Sequence, residues 1–358
     1  MANKRTLDRD LIIHPGETLE ELLVDRGMSQ RDLANRCGVT EKHISSVIAG
    51  KSNITASFAK KLEYVFGVEA RFWLNLQNIY DEELLDFEES NNILPKEIEI
   101  SKKFKEVCTF AGKYELFPPC SNEVDTVIAL RKFLGVTDLL KVPEVSYNAA
   151  YRADTSTTID EYVLFGWQMF CERLMEKREV NNNLNLDRLQ AEIPFIKSLM
   201  KENAEVMRNK LREVLASCGI AFEIVPYFKK APVQGFIKQG KEKIVLCMTI
   251  RRQYVDIFWF TFFHEIGHLL SDDIKRQFID FETKENERER KADRFAADTL
   301  INRKAYKIFT EKRDYSARAI NSFAKDNNVI ADIVYGRLAK DGYLEWKDVA
   351  RRERFSWR

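Results

Sequence analysis

The sequence predicts a mainly α-helical chain with a small β-sheet, an α+β architecture, and three features carry that expectation. Residues 14–85 divide into short helices marked off by proline, serine, threonine and glycine. Residues 96–218 set apolar side chains three and four apart, as in Phe165, Met169 and Leu174. Residues 220–247 instead alternate in short runs and lead into a segment that is apolar nearly all round, as a helix within a core would be. Five parts result: a helical bundle (1–85), a linker (86–95), a helical middle region (96–218), a domain built on the sheet and the apolar helix (219–310), and a helical tail (311–358).

At 358 residues, 45% hydrophobic and 32% charged, the chain is long enough for two or three domains with a large core. A net charge of +1 names no partner by itself. The six cysteines are scattered without a Cys-x-x-Cys, which argues against a disulfide framework or a thiolate zinc site and fits a reducing cytoplasm. No long apolar run follows Met1–Arg9, so neither signal peptide nor membrane anchor is expected.

Taken in order, the first helix opens at Pro15 with acidic residues in its first turns and ends at Gly27. Ser29 caps a second helix through Arg36, Gly38 makes a tight turn, and Thr40 caps a third that stops at Gly50. Two short helices across a glycine turn form a helix-turn-helix, whose second member enters the DNA major groove. Leu33, Ala34, Val39, Ile44, Val47 and Ile48 are expected inside, leaving Thr40, Glu41, Lys42, His43, Ser45 and Ser46 facing outward to base edges. From Arg26 to Lys61 seven basic residues face two acidic ones, a surplus of +5 in a nearly neutral chain. His43 has no ligand partner at helical spacing and reads as an outward polar residue.

Residues 14–80 resemble the Xre-type helix-turn-helix of HigA-family antitoxins, on Gly27-Met28-Ser29-Gln30-x-x-Leu33-Ala34 and Ile44-x-x-Val47-Ile48-x-Gly50-Lys51. The resemblance implies operator binding as a homodimer, adds Gln30 and Lys51 to the DNA-contact set, and brings in a toxin as a further partner. Two more helices are expected (about 57–66 and 71–85) before the acidic, Asn-rich stretch Asp86–Pro95 shifts the composition toward a linker.

Pro118-Pro119, Gly135 and Asn181-Asn182-Asn183 punctuate the middle region, which shows no chemical constellation; its Tyr147, Tyr151 and Trp167 read as core aromatics. Three strands are expected at Phe222–Val225, Val233–Ile237 and Lys243–Cys247, with Gly240 among the turn residues between them. An exposed edge of this sheet would hold a substrate backbone extended beside a metal.

The apolar helix then carries His264-Glu265-Ile266-Gly267-His268. Helical spacing of four puts both imidazoles on one face, within reach of one Zn2+, while Glu265 lies beside the ion, where a general base takes a proton from water. Asp256 on one side, and Asp272, Asp273 and Lys275 on the other, leave too short an apolar run to span a membrane. Catalysis needs a third ligand and an open corner. Glu289 fills that role from the next helix, Asp293 orients an imidazole through its second nitrogen, and the stripe Ala292, Phe295, Ala296, Leu300 packs this helix closely on the first. For the oxyanion, a tyrosine such as Tyr254 or an arginine is the remaining donor.

Thr261–His268 and Glu289-x-x-Ala292-Asp293-x-Phe295-Ala296-Ala297 resemble the ImmA/IrrE family of metallopeptidases over roughly residues 220–305, with Lys291 where the family often has a second acidic residue. The resemblance implies a zincin-like, gluzincin-type site and helix-turn-helix regulators as protein substrates. The chain therefore reads as a DNA-binding regulator with a zinc endopeptidase, cutting a separate repressor or this chain itself within Asp86–Leu94. The rival reading is an antitoxin that binds operator DNA and a toxin, its peptidase fold serving as a sensor; an intact Glu265 favours the enzyme.

Overall fold

The computed structural model describes residues 9–145, 151–153, 160–231, 233–239, 243–250, 254–271, 285–347 and 353–355. Asp272, Asp273, Lys275, Tyr147 and Gly240 lie outside them. The architecture is mainly helical with one small sheet, and the chain divides into two compact units, Met1–Ile98 with Asn122–Ile128, and Glu99–Ser121 with Ala129–Arg358.

The first unit is a helix-turn-helix bundle of α1 (Pro15–Asp25), α2 (Gln30–Cys37), α3 (Glu41–Ile48), α4 (Ala56–Phe66) and α5 (Ala70–Asn91). Its ends follow the capping logic: Ser29 accepts from the Asp32 N–H at 3.1 Å, Thr40 from His43 at 3.2 Å and Thr55 from Phe58 at 3.3 Å. Gly38 takes the left-handed conformation the α2–α3 turn requires. Leu33, Ala34, Ile44 and Val47 are buried with Leu19, Phe58, Leu62 and Trp73, while Val39 and Ile48 are only partly covered. A Cβ on Gly16 would sit 2.0 Å from the Val47 carbonyl oxygen, so glycine lets α1 touch the back of α3.

The expected linker is mostly helix. Ser90 donates to the Asp86 carbonyl and Asn91 to that of Phe87, so residues that resemble loop formers bond back one turn and α5 runs on to Asn91, leaving Asn92–Leu94 before α6 (Pro95–Ser101). Then come α7 (Lys105–Lys113), α8 (Glu123–Leu134), α9 (Val142–Val145), β1 (Tyr151–Ala153), α10 (Glu161–Glu176), α11 (Leu186–Ser198) and α12 (Ala204–Ser217). Trp167 is buried, its indole donating to the Pro226 carbonyl at 3.1 Å.

The sheet has four strands in the order β1-β3-β4-β2, where β2 is Ile220–Val225, β3 Val233–Gln239 and β4 Ile244–Thr249. β2 and β4 are parallel, and β3 is antiparallel to β4 and to β1. Every residue of β2 and β4 is buried, because α12 packs on β2, α10 on both, and α13 (Val255–Leu270) on β3 and β4. The middle region and the sheet thus share one core, as do α14 (Glu285–Leu300), α15 (Arg303–Glu311), α16 (Ala317–Asp326) and α17 (Ala331–Lys340) through Leu300, Phe309, Ile320 and Val334. The boundaries expected at 218 and 310 separate no packing units, since strands this apolar need helices from both sides. Among the described residues no helix is long and apolar enough to cross a membrane.

Candidate functional site

The metal candidate is built where α13 crosses α14. A Cβ on Gly267 would lie 3.1 Å from the Ala292 Cα and 3.1 Å from the Phe295 ring, so glycine facing alanine brings the two backbones together. Ala292, Ala296 and Leu300 are buried in that contact, as the apolar stripe predicts. Close approach is what lets the short carboxylate arms of α14 reach the imidazoles of α13.

His264 and His268 are both buried, with their Nε2 atoms 3.0 Å apart. Glu289 completes the cluster, one oxygen 3.1 Å from His264 Nε2 and the other 3.2 Å from His268 Nε2. Atoms bound tetrahedrally to zinc at about 2.0–2.1 Å lie about 3.3 Å from one another, so two imidazole nitrogens at this separation, each facing one oxygen of the Glu289 carboxylate, suit the ion. His264 Nδ1 lies 2.8 Å from Asp293 Oδ1, which leaves Nε2 as the ring's inward atom. Burial pushes the Glu289 carboxyl up, but its contacts with His264 and His268 hold it well below the usual carboxylate range. Glu289 remains half-exposed, so the centre opens to solvent on that side.

Glu265 is buried beside the cluster, against β3. A Cβ on Gly235 would stand 2.7 Å from Glu265 Oε1 and 2.9 Å from its Cγ, so the carboxylate occupies space that any other residue would take. The expected strand Val233–Ile237 contains Gly235 without giving it a role; a glycine within an alternating run, just before a His-Glu-x-x-His helix, is the signal that points to it. Gly235 pairs with Met248 on one side and Arg152 on the other. The strand running past Glu265 is therefore flanked on both sides, and β1 and β2 are the sheet's edges, contrary to the open edge expected there. The three-residue β1, set far from the other strands in sequence, had no periodicity to announce it.

Tyr254 does not serve the centre. It precedes α13, its hydroxyl accepting from Arg354 at 2.9 Å, ten residues and about 15 Å of helix rise before His264. The middle region holds one constellation that its sequence hid: Arg178, Arg208 and Arg212 converge on the buried Glu223 of β2 at 2.6–2.7 Å. Burial raises the Glu223 carboxyl, and hydrogen bonds and charge from Arg212 and Arg208 more than offset it, so its pKa is lowered.

On the helix-turn-helix, Thr40, Glu41, Lys42, Ser45 and Lys51 are exposed, and Gln30 and Ser46 are partly covered. His43 is also partly covered, its ring edge-on to Phe58 at 4.9 Å, so it is less outward than expected because the α4 aromatic offers it a surface. Arg26, Arg31, Arg36 and Lys60 of the basic surplus are exposed, with Lys60 paired to Glu63.

Two classes of domain are defined by this geometry: a helix-turn-helix, and a fold in which a His-Glu-x-x-His helix crosses a helix bearing Glu289 and Asp293. Residues 19–73 match the family model of helix-turn-helix proteins (HTH_3), and residues 256–338 that of the IrrE N-terminal-like domain (Peptidase_M78). The chain belongs to the helix-turn-helix family and carries an IrrE-like peptidase-family domain at its C-terminal end. It is 38% identical over 86 residues to virulence-associated protein I of Dichelobacter nodosus, covering 23% of this chain and 80% of that protein. It is 33% identical over 66 residues to the uncharacterized HTH-type transcriptional regulator YddM of Escherichia coli (strain K12), covering 18% of this chain and 70% of that one. Among solved structures, an addiction module antidote protein of the HigA family from Coxiella burnetii is 34% identical over 23% of this chain and 96% of its own, with a TM-score of 0.21.

Proposed function

We propose that this chain is a cytoplasmic, dimeric DNA-binding regulator whose C-terminal unit is a zinc-dependent endopeptidase acting on a helix-turn-helix regulatory protein. One observation carries the peptidase half: two imidazole nitrogens 3.0 Å apart, each within 3.2 Å of one oxygen of Glu289, with Glu265, next in sequence to His264, buried and outside this set. A structural zinc site has no use for that carboxylate. Zn2+ held by His264, His268 and Glu289 supplies, when bound, the Lewis acidity that makes water a nucleophile at neutral pH and polarises a peptide carbonyl. Glu265 takes the proton from the attacking water and passes it to the leaving amine. Asp293 keeps the His264 ring in register. A substrate backbone pairs with β1 or replaces it on β3, the strand that passes Glu265 at Gly235.

For the DNA half, support comes from the exposed N-terminal end of α3 and the basic surplus around it. The test is to incubate the zinc-loaded chain with candidate helix-turn-helix regulators and follow them by mass. Wild type should cut, and Glu265→Gln should lower the rate about 10²- to 10⁴-fold while binding DNA as wild type does. A wild type that cuts neither these regulators nor a peptide library would reduce the domain to a binding module.

A further inference from the structure

The seam that holds the metal candidate continues past it. Along α13, His268 and His264 are followed one turn further by Phe260 and Thr261 and then Ile257, all at helical spacings of three and four; along α14, Glu289 and Asp293 are followed by Ala297 and then Leu300. Between these continuations and α17 lies a cavity of about 270 Å³. It is a cleft partly open to solvent, and for scale an apolar cavity of about 150 Å³ already takes up benzene. Small residues line it on two sides: Ala297 from α14, and Gly336 from α17, whose missing side chain lets Asp256 close to where a Cβ would meet its Oδ2 at 2.6 Å.

Its lining carries two cations, Lys340 and Arg337, against one carboxylate, Asp256. Lys340 places its ammonium 4.4 Å above the Phe260 ring, and among the described residues it has no carboxylate partner. Arg337 lies beside it, held by Asp341 at 2.7 Å, and Trp346 forms an exposed wall. Ala297, Arg337 and Lys340 also line an adjoining cavity of about 280 Å³ that reaches Asp293, the residue on His264 Nδ1.

We propose that this seam binds a small amphipathic carboxylate of roughly ten non-hydrogen atoms, with its hydrocarbon body among Ile257, Phe260 and Leu300 and its carboxylate on Lys340 and Arg337. Occupancy shifts α14 at Ala297, one turn from Asp293, and so changes how firmly His264 is held. The binding half stands on the cavity alone; the coupling half rests on the metal reading of His264, His268 and Glu289.

The experiment titrates the metal-free full-length chain with sodium octanoate, 1-octanol and octylammonium. Octanoate should bind with a Kd on the order of 0.1–1 mM, about tenfold tighter than octanol. Lys340→Ala should remove that tenfold advantage and leave octanol unchanged, and Ala297→Leu, by filling the cavity, should abolish both. Octylammonium binding as tightly as octanoate, which the Asp256 carboxylate in the wall makes the discriminating outcome, would overturn the assignment. So would octanoate binding that survives both substitutions, or a titration that stays flat to about 10 mM. A second arm measures zinc affinity with and without octanoate: a shift of threefold or more supports the coupling, and an unchanged value removes it while the site stands. Failure of the chain to bind zinc at all strikes the metal reading and leaves the first arm intact.

Discussion

At Gly235 the missing side chain decides where the proposed general base sits. Gly235→Ala should push the Glu265 carboxylate from its place and lower peptide cleavage about 100-fold with zinc content unchanged, since misplacement of about 1 Å costs that much. Loss of zinc in that variant would mean that Gly235 shapes the cluster rather than the base. Asp293→Ala removes the partner of His264 Nδ1 and should weaken zinc about 10- to 100-fold, read by competition with a chelator. Glu223 makes a claim on stability. Its carboxyl is held below the ordinary range in the fold, so its contribution is present above the unfolded value, near pH 4, and is lost as pH falls through the folded one. Glu223→Gln should accordingly flatten the acid side of a Tm-against-pH curve below about pH 5. His264, His268, Glu289 and Asp293, which the fold brings together, were legible because each is a chemically distinctive type at helical spacing. Gly235 was not, because its role is to be absent from a space that only the folded sheet defines.

The elements were readable wherever a cap or a glycine marks an end. Ser29, Thr40 and Thr55 each accept the N–H three residues on, and Gly27, Gly38, Gly50 and Gly67 all take positive φ. Thr40→Ala should cost about 1 kcal/mol in a thermal melt and loosen the first turn of α3, where base contacts are expected. The linker misled because Ser90 and Asn91 are loop formers by composition, yet bond back within α5. β1 escaped because pairing with β3, across some eighty residues of chain, makes it a strand at all. The α13–α14 crossing depends on Gly267 in the same way. Gly267→Leu should force the helices apart, costing about 1–3 kcal/mol, and lower zinc retention more than it lowers helix content. A variant that keeps its zinc would show that the crossing has slack.

On the scale of the whole molecule, the chain joins two units with separate chemistry, and the separation is itself testable. The basic surplus between Arg26 and Lys61 should make DNA binding fall steeply with salt, and Lys42→Ala should lower the slope of log K against log salt by about 1, whereas Glu265→Gln leaves it alone. Self-cleavage within Asp86–Leu94 now faces a cost that was invisible in the sequence, because residues up to Asn91 are helical and would have to unwind into an extended backbone before any peptidase could take them. That cost weighs toward the separate regulator proposed above over this chain itself. The metal reading underlies the peptidase half, and the most direct test is elemental analysis of the purified chain beside His268→Ala and Glu265→Gln. The account requires about one zinc per chain in the wild type, little in His268→Ala, and a full complement in Glu265→Gln. A wild type that remains metal-free after zinc is supplied would contradict it.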